Sequence, residues 1–148
     1  MAKEATTGLS VQQARDMLRA ADLRSTASRL AVLQHLAQFD KPLSHAEVAD
    51  VLVPQGFDKS TLYRCLVELA DANLLSRLDA GDHAWRFELR RGEDHEANAH
   101  PHFMCLDCGK VTCLPEIEVK IVPTSGKKSA TMGDVTEIFL KGHCLECK

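Results

Sequence analysis

The sequence predicts an α+β protein of two small domains, the first mainly helical and the second rich in β-strands. In the first part, apolar residues recur at helical spacing behind Ser and Thr capping residues. Residues 90–99 are charged and almost free of large apolar side chains, which predicts a linker. Two C-x2-C pairs follow it. We therefore divide the chain into a domain at 1–89, a hinge at 90–99 and a domain at 100–148.

Three helix starts are predicted by N-cap residues. Ser10, Thr26 and Ser44 each precede an apolar pattern of helical period, and their side-chain oxygens can accept a hydrogen bond from the first turn. Gln13 and Glu47 occupy the capping-box position of the first and third helices. These signals place helices near residues 11–21, after residue 26 and after residue 44.

A fourth helix is predicted from about residue 59, with one leucine stripe. Leu62, Leu66 and Leu69 are three or four residues apart, so they share one face of the helix. Tyr63 and Arg64 then lie on or near the opposite face. This helix presents a mixed aromatic and basic face away from its core.

Short strands are predicted on both sides of the linker. Segments 74–78 and 83–89, joined by a turn at 80–82, follow the helices, and this is the element order of a winged helix-turn-helix. The second domain is too small to fold comfortably without a staple or a partner. Its expected strands are 103–105, 110–114, 119–122 and 135–141.

Bulk composition limits the classes of function. The apolar runs are too short to span a bilayer, and no apolar signal core begins the sequence, so we expect a cytoplasmic protein with no membrane partner. Thiols stay reduced there, and the six cysteines indicate metal or redox chemistry rather than disulfides. Net charge is −3, and residues 1–90 hold 11 Lys and Arg against 12 Asp and Glu. Any contact with DNA must therefore come from a local patch.

Four cysteines give the strongest motif. Cys105, Cys108, Cys144 and Cys147 form C-x2-C-x35-C-x2-C, and two such pairs can complete a tetrahedral Zn²⁺ site. A structural zinc here would be the staple that the second domain requires. Disulfides or two separate thiol-redox pairs are the alternatives. A redox pair favours a strand-to-helix junction in a βαβ pattern, which this sequence lacks.

Five groups of residues carry a resemblance to a known family. They are Leu23-Arg24-Ser25-Thr26 with Arg29, Ser60-Thr61-Leu62-Tyr63-Arg64 with Leu66, Phe87-Glu88-Leu89, His100-x-His102-x-x-Cys105-Leu106-Asp107-Cys108-Gly109-Lys110-Val111, and Gly142-His143-Cys144. Through them, residues 9–147 resemble the ferric uptake regulator family of bacterial metal-dependent repressors. The resemblance implies a homodimer with an N-terminal winged helix, a C-terminal α/β dimerisation domain and a palindromic double-stranded DNA operator.

The resemblance also implies which residues meet DNA. Tyr63 and Arg64 match the family's pair on the recognition helix, where Tyr can contact thymine methyls and Arg can contact guanine or phosphate. A half-buried aromatic and a solvated charge are the alternative interpretations of this pair. The full candidate set is Arg24, Arg29, Lys59, Ser60, Thr61, Tyr63 and Arg64.

A regulatory metal site is implied by the same family. Glu88, His100 and His102 match its carboxylate and its histidine pair. Cys113 stands where the family often has another carboxylate, and a thiolate shifts preference from Fe²⁺ towards Zn²⁺. Cys113 as a small core residue of a strand is the alternative, and His83 and His95 are spare ligands. This chain also has Pro42 where the family commonly has a histidine, and Pro115, Pro123 and Gly126 argue against the family's long dimer helix.

These features predict a metal-responsive repressor that senses zinc and is not an enzyme. Iron sensing is one alternative within the family. Peroxide sensing, with oxidation of the histidines or of Cys113, is another. A zinc-storage module that binds no DNA is a third, and a thiol oxidoreductase ranks last because a tetrathiolate zinc would block it.

Overall fold

The computed structural model describes residues 8–90, 101–127, 132, 133, 135 and 137–148 of the chain. Contacts divide the chain into two compact units, Met1–Gly92 and Glu93–Lys148. The predicted hinge at 90–99 lies outside the described residues except for Arg90. None of the helices in the described part is long and apolar enough to cross a bilayer.

The first unit contains four helices and a three-stranded sheet. Its elements are α1 Val11–Ala20, α2 Ala27–Leu36, β1 Leu43–Ser44, α3 His45–Leu52, α4 Lys59–Asp71, β2 Leu75–Asp79 and β3 Trp85–Leu89, with a short 3-10 helix at Val53–Gln55. The sheet order is β1-β3-β2 and both pairings are antiparallel. This order of elements is the predicted winged helix-turn-helix.

Local capping explains where the helices start. Ser10 accepts from the backbone of Gln13 while Gln13 bonds back to Ser10, and the same reciprocal box joins Ser44 and Glu47. Thr26 Oγ1 accepts from the backbone N–H of Arg29 at 3.3 Å. All three predicted N-caps are therefore confirmed.

The core of the first unit lies between the helices and the sheet. Leu62, Leu66 and Leu69 of α4 are fully buried, together with Leu33 of α2 and Phe87 of β3. The predicted leucine stripe is confirmed, and its burial decides which face of α4 points to solvent. Burial of side chains of this size is the main source of the unit's stability.

The second unit is a small three-stranded sheet of β4 His102–Cys105, β5 Val111–Cys113 and β6 Phe139–Gly142. β4 lies in the centre, antiparallel to β5 and parallel to β6. The described residues of this unit form no helix, so its described part is β-rich, as expected.

Two strand predictions in the second unit differ from the structure. Residues 119–122 form no strand, and Ile121 and Val122 are 55% and 76% exposed. β-branched residues favour a strand only when neighbouring strands cover one face, and the described residues provide no such partner here. The last strand covers Phe139–Gly142 rather than 135–141.

Candidate metal centres and nucleic-acid interface

Four thiols meet where the ends of β4 and β6 lie side by side. Cys105 ends β4, and its parallel partner in β6 is Gly142, two residues before Cys144. Gly109 adopts φ of 71° just after Cys108, which is the left-handed turn that closes the first C-x2-C pair. The chain therefore brings both pairs to the same end of one sheet.

The geometry of this four-cysteine cluster fits zinc. The sulfur atoms of Cys105, Cys108, Cys144 and Cys147 all lie within 4.8 Å of one another, with 4.0 Å between the Sγ atoms of Cys108 and Cys144. None of the four forms a disulfide. Sulfurs on a tetrahedral zinc with Zn–S of about 2.3 Å are about 3.8 Å apart. The donor set and spacing of the four-cysteine cluster therefore fit a structural zinc site.

Electrostatics within the four-cysteine cluster favour a bound cation. Backbone N–H groups of Cys108 and Cys144 lower the pKa of the buried Cys105 thiol to about 6. Hydrogen bonds to Cys144 and Cys108, with the negative charge on Cys105, raise the pKa of Cys147 to about 12. The charge on the Cys105 thiolate thus opposes ionisation of Cys147, and a bound cation would offset that repulsion.

Two polar pairs connect the first C-x2-C segment to the second. His143 Nδ1 lies 2.6 Å from Asp107 Oδ2, and this contact raises the pKa of His143. Lys110 Nζ lies 3.4 Å from Glu146 Oε2. The sequence analysis found neither pair, because each joins positions 36 residues apart whose proximity depends on the parallel β4–β6 pairing.

A second group of ligands begins on β4 and β5. His102 is the antiparallel partner of Cys113, and a ring nitrogen of the buried imidazole lies within 4.8 Å of the Cys113 Sγ. Ligands on a tetrahedral zinc are about 3.6 Å apart, so both side chains could bind one ion after a closure of at most about 1 Å. Two residues that were predicted as ligands from separate motifs are thus neighbours on one sheet.

The other residues that the sequence predicted as ligands are Glu88, His100, His95 and His83. Glu88 lies in the first unit, on β3 opposite Ser76. His100 and His95 fall outside the described residues. His83 is exposed in the turn between β2 and β3, where its φ is 63°.

The outer face of α4 is the candidate DNA surface. Tyr63 is 44% exposed and Arg64 is exposed, on the side of the helix opposite the leucine stripe. Asp58 caps the helix by accepting from the backbone N–H of Thr61 at 3.1 Å and from the Ser60 hydroxyl, and these bonds lower its pKa. Lys59 and Ser60 are exposed in this first turn. The face has the residue types that major-groove contacts use.

The two arginines predicted near the start of α2, Arg24 before the helix and Arg29 in its first turn, differ in their surroundings. The Arg24 side chain is exposed. Arg29 donates from Nη1 to the carbonyl oxygen of Arg24 at 2.9 Å and from Nη2 to Glu68 Oε2 at 2.8 Å. The Arg29 guanidinium therefore links the segment at Arg24 to α4.

A histidine that the sequence analysis did not select also lies at this face. His45, the first residue of α3, has Nε2 2.8 Å from the carbonyl oxygen of Lys59, and its ring packs edge-on against Tyr63. No local pattern signals this contact, since it depends on how α3 packs against α4.

Comparison with known sequences decides the family. A sequence model described as the ferric uptake regulator family matches residues 20–136. The chain belongs to the ferric uptake regulator family. The ferric uptake regulation protein of Haemophilus ducreyi is 32% identical over 125 residues, covering 78% of this chain and 80% of that protein. The protein of the same name from Shigella flexneri is 30% identical over 136 residues, covering 87% of this chain and 86% of its own length.

Solved structures of ferric uptake regulators share this fold. The ferric uptake regulator of Francisella tularensis, solved with iron, superposes with a TM-score of 0.63 at 27% identity, covering 84% of this chain and 94% of its own. A zinc-bound manganese uptake regulator superposes with a TM-score of 0.68 at 25% identity, covering 88% and 98%. The chain is thus a metal-dependent transcription regulator with a DNA-binding winged helix. Members of this family are typically homodimers, and they act as transcription regulators rather than as enzymes.

Proposed function

We propose that the chain is a zinc-responsive repressor, acting in the cytoplasm, that binds a palindromic operator as a homodimer. The regulatory metal is assigned to Glu88, His100, His102 and Cys113. The observation that carries this assignment is that the Cys113 Sγ lies within 4.8 Å of a ring nitrogen of the buried His102, its partner on the adjacent strand.

The chemistry of the donor set favours zinc over iron. Thiolate and neutral imidazole together suit Zn²⁺, whereas Fe²⁺ and Mn²⁺ more often bind imidazole with carboxylates. Cys113 supplies a soft sulfur donor in the strand next to His102. Glu88 and His100 would bring a carboxylate and a second imidazole to complete four ligands.

Control of DNA binding follows from where these ligands lie in the sequence. Glu88 precedes the charged segment at 90–99, and His100 and His102 follow it. By holding one metal together, these side chains would restrict the hinge and increase the population in which two recognition helices match half-sites about 34 Å apart. Repression is therefore expected when zinc is plentiful.

The proposed contacts with the operator come from the first two turns of α4, from the segment before α2 and from the first turn of α2. Tyr63 and Arg64 are assigned to base edges and phosphates, because their side chains are exposed on the face opposite the core. The remaining assigned residues are Arg24, Arg29, Lys59, Ser60 and Thr61, of which Arg29 acts through its bonds to Arg24 and Glu68.

Iron sensing is the second candidate, and the names of the relatives favour it. The relatives from Haemophilus ducreyi and Shigella flexneri are both called ferric uptake regulation proteins. In that case Cys113 would be a strand residue beside the site rather than a ligand.

Metal analysis of protein purified without oxygen separates the two candidates. Wild type, Cys113→Ser and the control Cys65→Ser, which removes a buried thiol of α4, are compared for zinc and iron per protomer. Two zinc equivalents in wild type and the control, with one in Cys113→Ser, support the zinc sensor. Iron in wild type that survives the Cys113 substitution would show an iron sensor.

Operator binding is tested by selecting duplexes from a genomic fragment pool with zinc present. The selected duplex should bind at least tenfold more tightly with zinc than with a chelator weak enough to leave the structural zinc bound. Equal affinity in both conditions contradicts the hinge mechanism. Failure to select any duplex would favour a zinc-storage module.

A further inference from the structure

His45 joins the start of α3 to the start of the recognition helix. Its Nε2 lies 2.8 Å from the carbonyl oxygen of Lys59, the first residue of α4. A carbonyl oxygen only accepts, so Nε2 carries the hydrogen and donates it. The imidazole is thereby anchored to the first turn of α4, which directly precedes Tyr63.

The same ring contacts Tyr63 directly. The centroids of the two rings are 5.2 Å apart and their planes meet at 63°, which is the edge-to-face geometry that aromatic pairs prefer. Tyr63 is 44% exposed, so part of its ring lies outside the core, where packing alone does not fix its orientation. A side chain held in one orientation before binding loses less conformational freedom when it meets a partner.

We propose that His45 is a positioning residue for DNA recognition, which orients Tyr63 and seats the first turn of α4 for contact with a base edge. The inference rests on the proposed function, because it requires that α4 reads the operator. His45 acts through Tyr63, so its contribution concerns the choice of sequence rather than the general attraction to phosphates.

The expected effect is a loss of selectivity. Replacing His45→Ala should weaken binding to the selected operator about threefold to tenfold, the fold-change that one aromatic pair of ordinary strength represents. Binding to random-sequence duplex should stay within about twofold of wild type, and so should the dependence of affinity on salt, because no phosphate contact is removed. In a Tyr63→Ala background, His45→Ala should have no further effect on operator affinity.

Conservative substitutions separate the two contacts of the ring. His45→Phe retains an aromatic edge beside Tyr63 and should recover most of the selectivity, whereas His45→Gln retains a donor for Lys59 but no ring and should recover less. Asp50→Ala, at an exposed position of the same helix, is the matched control and should behave as wild type.

The free protein offers a second measurement. Tyr63 is the single tyrosine of the sequence, so labelled tyrosine gives one set of ring signals in NMR spectra. His45→Ala should shift these signals and increase rotamer averaging at χ1, while Asp50→Ala leaves them unchanged.

The possible results of these experiments separate the positioning role of His45 from the proposed function of the chain. Wild-type selectivity in His45→Ala, or unchanged Tyr63 signals, overturns the positioning role while leaving the proposed function intact. A loss of affinity that is equal for operator and random duplex, with a smaller salt dependence, overturns it in favour of a direct phosphate contact. If wild type binds no duplex with zinc, the proposed function fails first and the inference falls with it.

Discussion

Replacing Arg29→Met should destabilise the winged-helix unit by about 1 to 2 kcal/mol. The guanidinium makes one bond to the Arg24 carbonyl and one to Glu68, at 2.9 and 2.8 Å. The Arg29 side chain is 17% exposed and that of Glu68 is 47% exposed, so the ion pair is discounted to about 0.2–1 kcal/mol. The bond from a charged donor to a backbone carbonyl contributes about 1 kcal/mol more. Met keeps the apolar stem packed, which isolates the polar contribution.

Urea unfolding followed by tryptophan fluorescence measures this change. Trp85 is the single tryptophan and lies on β3, so the signal reports on the first unit. A double-mutant cycle with Glu68→Gln should give a coupling of about 0.5 kcal/mol, and Arg15→Met, an exposed arginine of α1, serves as the control. A free energy of unfolding within about 0.3 kcal/mol of wild type, or zero coupling, would refute the reasoning.

The same variant tests how Arg29 takes part in DNA binding. Because its guanidinium is bonded within the unit, Arg29→Met should lower operator affinity without changing the salt dependence. Arg24→Met removes an exposed charge and should reduce the salt slope by about one per protomer. Equal reductions of the slope would mean that both arginines contact phosphates.

Three further predictions concern stability and metal retention. Leu66→Ala, at a fully buried site of α4, should cost about 2–5 kcal/mol in urea unfolding, and a cost below about 1 kcal/mol would contradict its place in the core. Burial lowers the pKa of His35, so the unfolded chain binds more protons just below pH 6.5. The free energy of unfolding should be highest above pH 6.5 and fall as pH decreases towards the folded pKa. His35→Leu should flatten that slope, and an unchanged slope in the variant would contradict the assignment to His35. Asp107→Ala removes the contact with His143 and should make zinc transfer to a competing chelator about threefold faster, whereas unchanged release would show that the pair does not support the site.

Local signals in the sequence predicted the helices well because their causes are local. The boxes at Ser10 and Ser44 need only residues three positions apart, and the leucine stripe of α4 needs only helical period. By contrast, β1 is two residues long and exists through its pairing with β3, which no local pattern reveals. Residues 119–122 show the reverse error, since β-branched residues alone do not make a strand.

The spacing of the cysteines predicted the four-cysteine cluster, whereas the contacts between side chains that are distant in sequence became visible only in the structure. Two C-x2-C pairs specify four sulfur donors wherever the fold brings them together. The contacts of His45 with Tyr63 and of Asp107 with His143 join residues that are far apart in sequence. Such contacts depend on helix packing and on strand direction, which single-sequence patterns do not contain.

The short central strand of the second unit carries a candidate ligand at each end. β4 begins at His102 and ends at Cys105, about 10 Å apart along a strand, and β6 lies beside it over the whole length. Fraying at the thiol end would disturb the imidazole end, so protein stripped of the proposed structural zinc should bind the proposed regulatory ion less tightly. Titrations that begin from exhaustively chelated samples would then understate the sensitivity of the sensor, and the affinity is best measured on protein that keeps one zinc per protomer.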